Sequence, residues 1–302
     1  MMEATRRSIP HLILAFIVIM GTVFGSTAAW AEEAGDTYNW IQGGTSVDLG
    51  SNLAALNLDK DMVFLGAEDT QKMQQKYNGY ATNREIGSVF PMDDTAGWAV
   101  IFEYDEPGHI VDDEKEDIDA DGILDSYKEG TEENNKTLED SKKLYVDGWE
   151  TAPFYDEKSH HLSWSLLGHD SNNEKFINYN VRLLSKEGYV SAILISDPAN
   201  LAHDKKELED KILPNFSFKP GAKYEDYDAS VDKTAEYGLS GLILGAAGIA
   251  VAKKVGLLAM GLIFFKKAWF LVIAIPVAIW NFIRRRSAKK AEEAPVTDTP
   301  QA

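Results

Sequence analysis

The sequence predicts an α+β fold, with a largely antiparallel sheet and a few helices, followed by C-terminal membrane helices. Short runs of alternating apolar and polar residues, separated by turn residues, recur through the middle of the chain and are typical of antiparallel strands. A few intervening stretches have helical composition. An apolar stretch from 238 to 283 is followed by three arginines, which indicates a membrane anchor with a cytoplasmic end.

The N-terminus has the pattern of a secretory signal. Arg6 and Arg7 precede the apolar run 12–21, and the small-residue motif 29–31 (AWA) follows. We expect residues 1–31 to be removed as a signal peptide, which would leave the mature chain outside the cytoplasm. An uncleaved membrane anchor is the alternative, although the apolar run is short for a span.

Residues 32–230 are predicted to form one acidic extracytoplasmic domain. Removing the signal region and residues 231–302 from the chain's 30 basic and 48 acidic residues leaves 18 basic and 42 acidic, a net charge of −24. Such a domain is repelled by nucleic acid, so nucleic acid is an unfavourable partner. The chain has no cysteine, which excludes disulfides, thiolate ligands and a cysteine nucleophile.

The first half of the domain is predicted to be rich in strands. Alternation in the run 98–104 (WAVIFEY) puts four large side chains on one face and indicates a buried strand. A turn at Pro107-Gly108 then suggests a return strand at His109–Val111. The other elements expected before this turn are strands at Thr45–Leu49, Ala54–Leu58, Asp61–Gly66 and Ile86–Pro91, and a helix at Glu68–Tyr77.

Residues 112–121 contain seven acids, and within and after them lies a calcium-like motif. The string D-x-D-x-D-G begins at Asp117, and its candidate ligands are Asp117, Asp119, Asp121 and Asp125. Position twelve is Lys128, where an EF-hand loop requires a bidentate glutamate. The alternative is an acidic helix start in which Asp119 is the N-cap and the helix continues to Lys136.

An aromatic region at 145–164 supplies most of the candidate binding residues. We expect a hairpin here, with strands at Trp149–Phe154 and His161–Leu167 and a turn at Asp156–Ser159. The candidate binding residues here are Trp149, Tyr155, Asp156, His161 and Trp164. Together with His160 and His169, Asp156 and His161 also raise the alternative of a metal-dependent hydrolase site. Adjacent strand residues point to opposite faces, which weighs against a shared ion at His160 and His161.

The second half of the domain ends in another hairpin and a helix. Phe176–Leu184 and Tyr189–Ile195 are the hairpin strands, and Arg182 is a candidate for binding an anion or carboxylate. The remaining elements expected are an amphipathic helix at Ala199–Ile212, a short strand at Phe216–Phe218, and a segment at 222–237 that becomes helical before Gly238.

Several short stretches occur together in the region 36–285. They are 64–67 (FLGA) with Asp69-Thr70, 98–104, Gly148-Trp149, Pro153 with Tyr155-Asp156, His161 with Trp164, 178–182 (NYNVR), Tyr224, Asp232-Lys233 and Tyr237-Gly238. In this combination the chain resembles the DUF2167 family of predicted bacterial membrane-anchored proteins. The resemblance implies a signal peptide, an extracytoplasmic domain and a C-terminal anchor, and it implies no particular reaction.

The anchor region divides into a juxtamembrane helix and transmembrane anchor at 231–286 and a polar cytoplasmic tail at 287–302. Because the domain is outside and the arginines are inside, the number of spans is odd. We favour one span at 268–283, extended at its outer end by snorkelling lysines, with 238–265 lying along the outer surface or against a partner. Three spans are the alternative, but they would need segments shorter than the roughly twenty residues that a bilayer requires.

The sequence therefore favours a non-enzymatic binding or accessory module of a complex in the bacterial inner membrane, with the main domain outside and the C-terminus in the cytoplasm. Within the domain no nucleophile motif or Walker motif supports a named reaction. We expect a protein partner in the membrane or envelope and no cofactor. A metal-dependent hydrolase and a calcium-binding envelope protein are the alternatives.

Overall fold

The fold is that of a computed structural model, which describes residues 38–78, 81–93 and 95–244. Contacts divide the chain at Tyr38 into a short first unit and a second unit that begins at Asn39. All strands and helices of the described residues lie in the second unit.

Eleven strands and four α-helices occur among the described residues. In chain order the strands are β1 (Ile41–Gln42), β2 (Ser46–Leu49), β3 (Ala54–Asn57), β4 (Met62–Gly66), β5 (Glu85–Pro91), β6 (Ala99–Asp105), β7 (Leu144–Asp156), β8 (His161–Asp170), β9 (Lys175–Leu184), β10 (Tyr189–Ser196) and β11 (Phe216–Phe218). The helices are α1 (Ala67–Asn78), α2 (Ala120–Asn135), α3 (Leu201–Glu207) and α4 (Leu239–Leu244).

Eight strands form one antiparallel sheet in the order β1-β4-β5-β6-β10-β9-β8-β7. The remaining three form a small antiparallel sheet in the order β11-β3-β2. The predicted antiparallel α+β class is thus confirmed for the domain. The most regular pairing joins β6, β10 and β9, whose side chains alternate between two buried layers.

One layer lies between the large sheet, the small sheet and the segment that begins with α3. It contains Trp98, Val100 and Phe102 of the predicted buried strand. Leu201, Leu208 and Ile212 close it from the side of α3. Burial of these apolar side chains gives this layer its stability, at about 25 cal/mol per Å² removed from water.

The other layer lies on the opposite face of the sheet, beneath α2 and α4. Ile123 and Tyr127 enter it from α2, and Leu162 and Trp164 enter it from β8. All of α4 except Ser240 and Gly241 is also buried in this layer. The second layer therefore includes the beginning of the apolar stretch that the sequence assigns to the anchor.

Most predicted elements are found, within one to five residues at their ends. The prediction of a return strand at His109–Val111 is wrong. His109 makes only an isolated bridge to Thr234. The helix expected at Ala199–Ile212 begins at Leu201 and changes to a π-helical turn at Leu208–Ile212. Residues 222–237 contain one short 3₁₀ turn, Tyr224–Asp226, in place of the expected helical continuation.

The signal peptide expected at 1–31 and the membrane crossing expected at 268–283 lie outside the described residues. Within the part of the chain that the structure covers, no helix is both long and apolar enough to cross a membrane.

Candidate functional site

Two of the predicted binding residues, Trp164 and Arg182, meet on the face of the sheet beneath α2 and α4. The Arg182 guanidinium lies 4.8 Å from the Trp164 ring centroid and 5.7 Å from that of Tyr189. Trp164 is 1 % exposed, whereas Arg182 is only half-buried. Nε and Nη1 of Arg182 are enclosed and have no hydrogen-bond acceptor among the described residues. A half-buried cation beside two aromatic rings, with two of its donors enclosed, is thus the central feature of this site.

A second arginine lies next to the same site. Arg84 donates from Nη1 to both carboxylate oxygens of Asp105 at 2.9 Å, and its Nη2 lies 3.3 Å from Oε2 of Glu103. Glu103 is 5 % exposed, and burial raises its pKa although Arg84 and Arg182 oppose that shift. Arg84 and Arg182 are the only arginines in 32–230, and both act on Glu103. We call Arg84, Glu103, Trp164, Arg182 and Tyr189 the arginine cluster.

A row of four rings, joined by two stacked contacts and one tilted contact, forms a second candidate site. His109 lies between Tyr227 and Tyr224, with ring centroids 3.8 Å and 4.3 Å away. His160 stacks against Tyr224 at 4.1 Å. We call Tyr227, His109, Tyr224 and His160 the ring stack. It joins three distant parts of the chain: the loop after β6, the turn between β7 and β8, and the segment before α4.

Tyr155 connects the ring stack to a carboxylate. Its hydroxyl lies 3.0 Å from Oδ2 of Asp112 and 2.9 Å from Nδ1 of His160. Burial, with Asp112 as the next cause, raises the pKa of Tyr155 far above its usual range, so the phenol keeps its proton. One proton serves one acceptor, so the phenol donates to Asp112 and accepts from Nδ1–H of His160. His160 is thereby held as the tautomer whose Nε2 is unprotonated when the ring is neutral.

His109 is held differently. Its Nδ1 lies 3.3 Å from the carbonyl oxygen of Lys186, so this nitrogen carries the donated proton. Burial lowers the pKa of His109, and the neighbouring His160 acts in the same direction, whereas Asp112 opposes it. The ring stack therefore favours a neutral His109 at its centre.

Asp156 and His161 face each other across β7 and β8, and His160 acts electrostatically on His161, but His169 does not join them. Asp156 accepts from the Lys158 N–H and the Ser159 hydroxyl, so it stabilises its own turn. His161 and His169 lie near opposite ends of β8, about 26 Å apart for eight residues of strand. His169 pairs instead with Asp147 at 2.8 Å. Across the described residues, no group of three or more histidine, aspartate or glutamate side chains is arranged to hold a metal ion.

Trp149 is a packing residue of the second layer. Its Nε1–H donates to the Ala120 carbonyl oxygen at 3.0 Å, and its ring meets Tyr127 edge-on at 6.0 Å. These contacts attach the start of α2 to strand β7. Trp149 therefore belongs to the core that supports the arginine cluster and does not itself contact Arg182 among the described contacts.

The aspartates of the calcium-like motif lie at the start of α2. Asp119 is the N-cap, and its Oδ1 accepts the Gly122 N–H at 2.9 Å. Asp121 lies in the first helical turn, where a negative charge is favourable, and Ile123 and Tyr127 are buried. The predicted N-cap at Asp119 and the helix that follows it are thus confirmed. The N-cap also explains Gly122, because a Cβ there would lie 2.4 Å from Asp119 Oδ2.

Sequence reasoning missed Glu103, Arg84, His109 and Tyr224 as site residues. His109 and Tyr224 are 115 positions apart, and no local pattern connects them. Glu103 sits within an apolar strand, and an acid at that position was the one available signal that the strand has a polar partner on one face.

The family model of DUF2167, a protein family of unknown function, matches residues 41–277. The chain belongs to this family. The match includes every residue of the arginine cluster and of the ring stack, so both sites lie within the family's own domain.

Among solved structures, the cyanobacterial PsbP protein (CyanoP) of Synechocystis sp. PCC 6803 is similar to this chain at 9 % identity. The match covers 63 % of this chain and 98 % of that one, with a TM-score of 0.32. No curated protein matches the sequence.

Proposed function

We propose that this protein is a non-enzymatic binding or accessory module of a complex in the bacterial inner membrane, with its domain outside the cytoplasm. The signal-like N-terminus and the apolar C-terminal stretch followed by arginines support this location. The observation that carries the proposal is the position of α4 inside the domain.

Helix α4 is the beginning of the apolar stretch, and it is a core element. Leu239, Leu242, Ile243 and Leu244 are 0–5 % exposed. The backbone of α4 is also fixed to the domain, because Tyr127 donates its hydroxyl to the Ile243 carbonyl oxygen and the Ser240 N–H donates to Glu114. A partner that binds the apolar stretch is thereby coupled directly to the folded domain.

This packing also favours a single membrane span. Once α4 belongs to the domain, eight residues of the first apolar segment remain, 245–252. As a helix they would extend about 12 Å, far less than the roughly 30 Å of a bilayer core. We therefore assign the crossing to 268–283, extended at its outer end by the snorkelling side chains of Lys266 and Lys267, which leaves the C-terminus in the cytoplasm.

The surface that best fits a protein partner is the outer edge strand, β7. Phe154 and Tyr145 are 64 % and 40 % exposed there, and aromatic residues are enriched in protein interfaces. The pairing of β7 with β8 shifts register in three places, and β7 contains Pro153, features that block addition of another strand. A partner would therefore bind β7 through side chains, and the domain charge of −24 favours a basic partner surface.

Purification of tagged full-length protein from detergent-solubilised membranes tests the proposal. We expect a defined partner to copurify, to be lost from Phe154→Glu and to be retained by Ile41→Glu, a control on the opposite edge strand. A second variant replaces 245–285 with an unrelated span and keeps α4. Full retention of the partner by this variant would reduce 245–285 to a tether. Failure to enrich any partner in several detergents would contradict a binding role.

A further inference from the structure

The unusual feature of the arginine cluster is the Arg182 guanidinium, which has more hydrogen-bond donors than the surrounding residues offer acceptors. Nε and Nη1 of Arg182 are enclosed without a hydrogen-bond acceptor in the described chain. A buried donor left unsatisfied costs about 1–3 kcal/mol, and more when it is charged. The rings of Trp164 and Tyr189 attract the guanidinium through its faces, but they cannot accept from its in-plane N–H groups in the way an oxygen does.

The carboxylate on which Arg182 acts electrostatically, Glu103, already has other partners. Glu103 lies 3.3 Å from Arg84 and accepts from the Thr82 hydroxyl at 3.4 Å. It interacts electrostatically with Arg182 without a hydrogen bond from it. Arg84 and Arg182 therefore share the buried carboxylate of Glu103. Arg84 also binds Asp105, so that second carboxylate is already occupied. Among the residues that the structure describes, neither Nε nor Nη1 of Arg182 has a carboxylate partner.

We propose that Arg182 binds an oxyanion, the carboxylate or phosphate group of a ligand, at the guanidinium edge between Trp164 and Tyr189. The planar donors of arginine match the two oxygens of such a group. Arg182 retains an exposed part, so the ligand arrives from that side and a small rotation of the guanidinium brings the enclosed N–H groups to it. This proposal rests on the proposed function, since it names the ligand class of the binding module.

Glu103 weakens ligand binding, because its carboxylate competes with the ligand for Arg182. Removing that negative charge strengthens the site, and removing the positive charge of Arg182 destroys it. If Arg182 had a purely structural role, removing the Glu103 charge would not strengthen ligand binding and removing the Arg182 charge would not abolish it. The pair of variants Glu103→Gln and Arg182→Met therefore separates a ligand site from a buried ion pair.

The test is a titration of full-length protein in phosphatidylcholine nanodiscs with inorganic phosphate and with acetate. Affinity is measured by calorimetry and by the NMR signal of the Trp164 indole N–H. We expect binding that Arg182→Met weakens by about tenfold or more, the equivalent of one charged hydrogen bond, and that Glu103→Gln strengthens. Lys205→Met is the control, because Lys205 lies 4.3 Å from the Tyr179 ring in a cation–π contact outside the cluster.

Nanodiscs that contain phosphatidylglycerol distinguish the source of the oxyanion. A shift of the Trp164 signal with this lipid supports a headgroup ligand, and a shift with free phosphate or acetate supports a soluble one. If Arg182→Met does not fold, Arg182→Lys keeps the charge without the planar fork and is expected to bind more weakly than wild type. Absence of any response in wild type, or equal affinity in the Arg182 variant, overturns the oxyanion proposal. A partner that still copurifies would leave the proposed function standing.

Discussion

At the scale of single residues, neighbouring side chains in the turn between β7 and β8 have separate roles. His160 has a left-handed backbone, with φ of 54°, which turns its ring toward Tyr155 and Tyr224. Asp156 stabilises the turn, and His161 begins β8. This conformation is uncommon outside glycine and asparagine, and the contacts of the ring stack compensate for its cost.

His161 gives a prediction for pH dependence. Burial lowers its pKa to about 4, although Asp156 acts in the opposite direction. In the unfolded chain its pKa is about 6.5, so between these values the unfolded state binds more protons than the folded one. The free energy of unfolding should fall as the pH drops from about 6.5 toward 4.

Urea unfolding at several pH values measures this effect. His161→Gln should flatten the dependence in that window, whereas His203→Gln, with a wild-type side chain that is 74 % exposed, should leave it in place. An NMR titration in which His161 protonates near pH 6.5 in the folded protein would contradict the burial argument.

At the scale of elements, α4 should contribute to the stability of the domain. Leu242 is 2 % exposed, so Leu242→Ala removes buried apolar surface and leaves a cavity. We expect a loss of about 2–5 kcal/mol in the free energy of unfolding. Val231→Ala is the control, because Val231 is 78 % exposed, and it should change stability by less than about 0.5 kcal/mol. Equal stability of the two variants would place α4 outside the core.

The segment before α4 is held against the loop after β6 at Gly108. Gly108 has φ of 113°, and a Cβ there would lie 2.8 Å from the Lys233 carbonyl oxygen and 2.9 Å from the Ala235 nitrogen. Gly108→Ala should therefore combine backbone strain with displacement of this segment, at a cost of about 2–4 kcal/mol.

Gly44→Ala is the matched control for this prediction. Gly44 also has a positive φ, 83°, but a Cβ there would have no neighbour within 4 Å. It should cost about 1 kcal/mol from backbone strain alone. Thermal unfolding of both variants measures the difference, and a Gly108 variant no less stable than the Gly44 variant would show that the segment adjusts freely.

At the scale of the whole molecule, the sequence predicts the sheet better than the sites. The apolar runs of β6, β9 and β10 are easy to recognise because these strands lie inside the large sheet, paired on both edges, with most of their side chains buried. The failures at His109–Val111 and 222–237 have one cause. These two segments pair with each other through His109 and Thr234, a contact that no local pattern contains.

The candidate sites depend on the same long-range contacts. Trp164 and Arg182 could be selected by residue type, and both lie in the arginine cluster. Their meeting depends on the register of β8 with β9, which pairs Leu162 with Arg182. The stacking of His109 with Tyr224 requires the complete fold, as does the burial of α4, which the sequence alone assigned to the membrane surface or a partner.

The central claim, that the folded domain includes the first turns of the apolar stretch, is tested most directly by hydrogen exchange. The measurement is the exchange rate of peptides that cover 239–244 in full-length protein reconstituted into nanodiscs, compared with peptides from β9. The account predicts that both are protected in wild type and that Leu242→Ala, but not Val231→Ala, increases exchange in both. Fast exchange of 239–244 beside a protected β9, or exchange there that Leu242→Ala leaves unchanged, would contradict it.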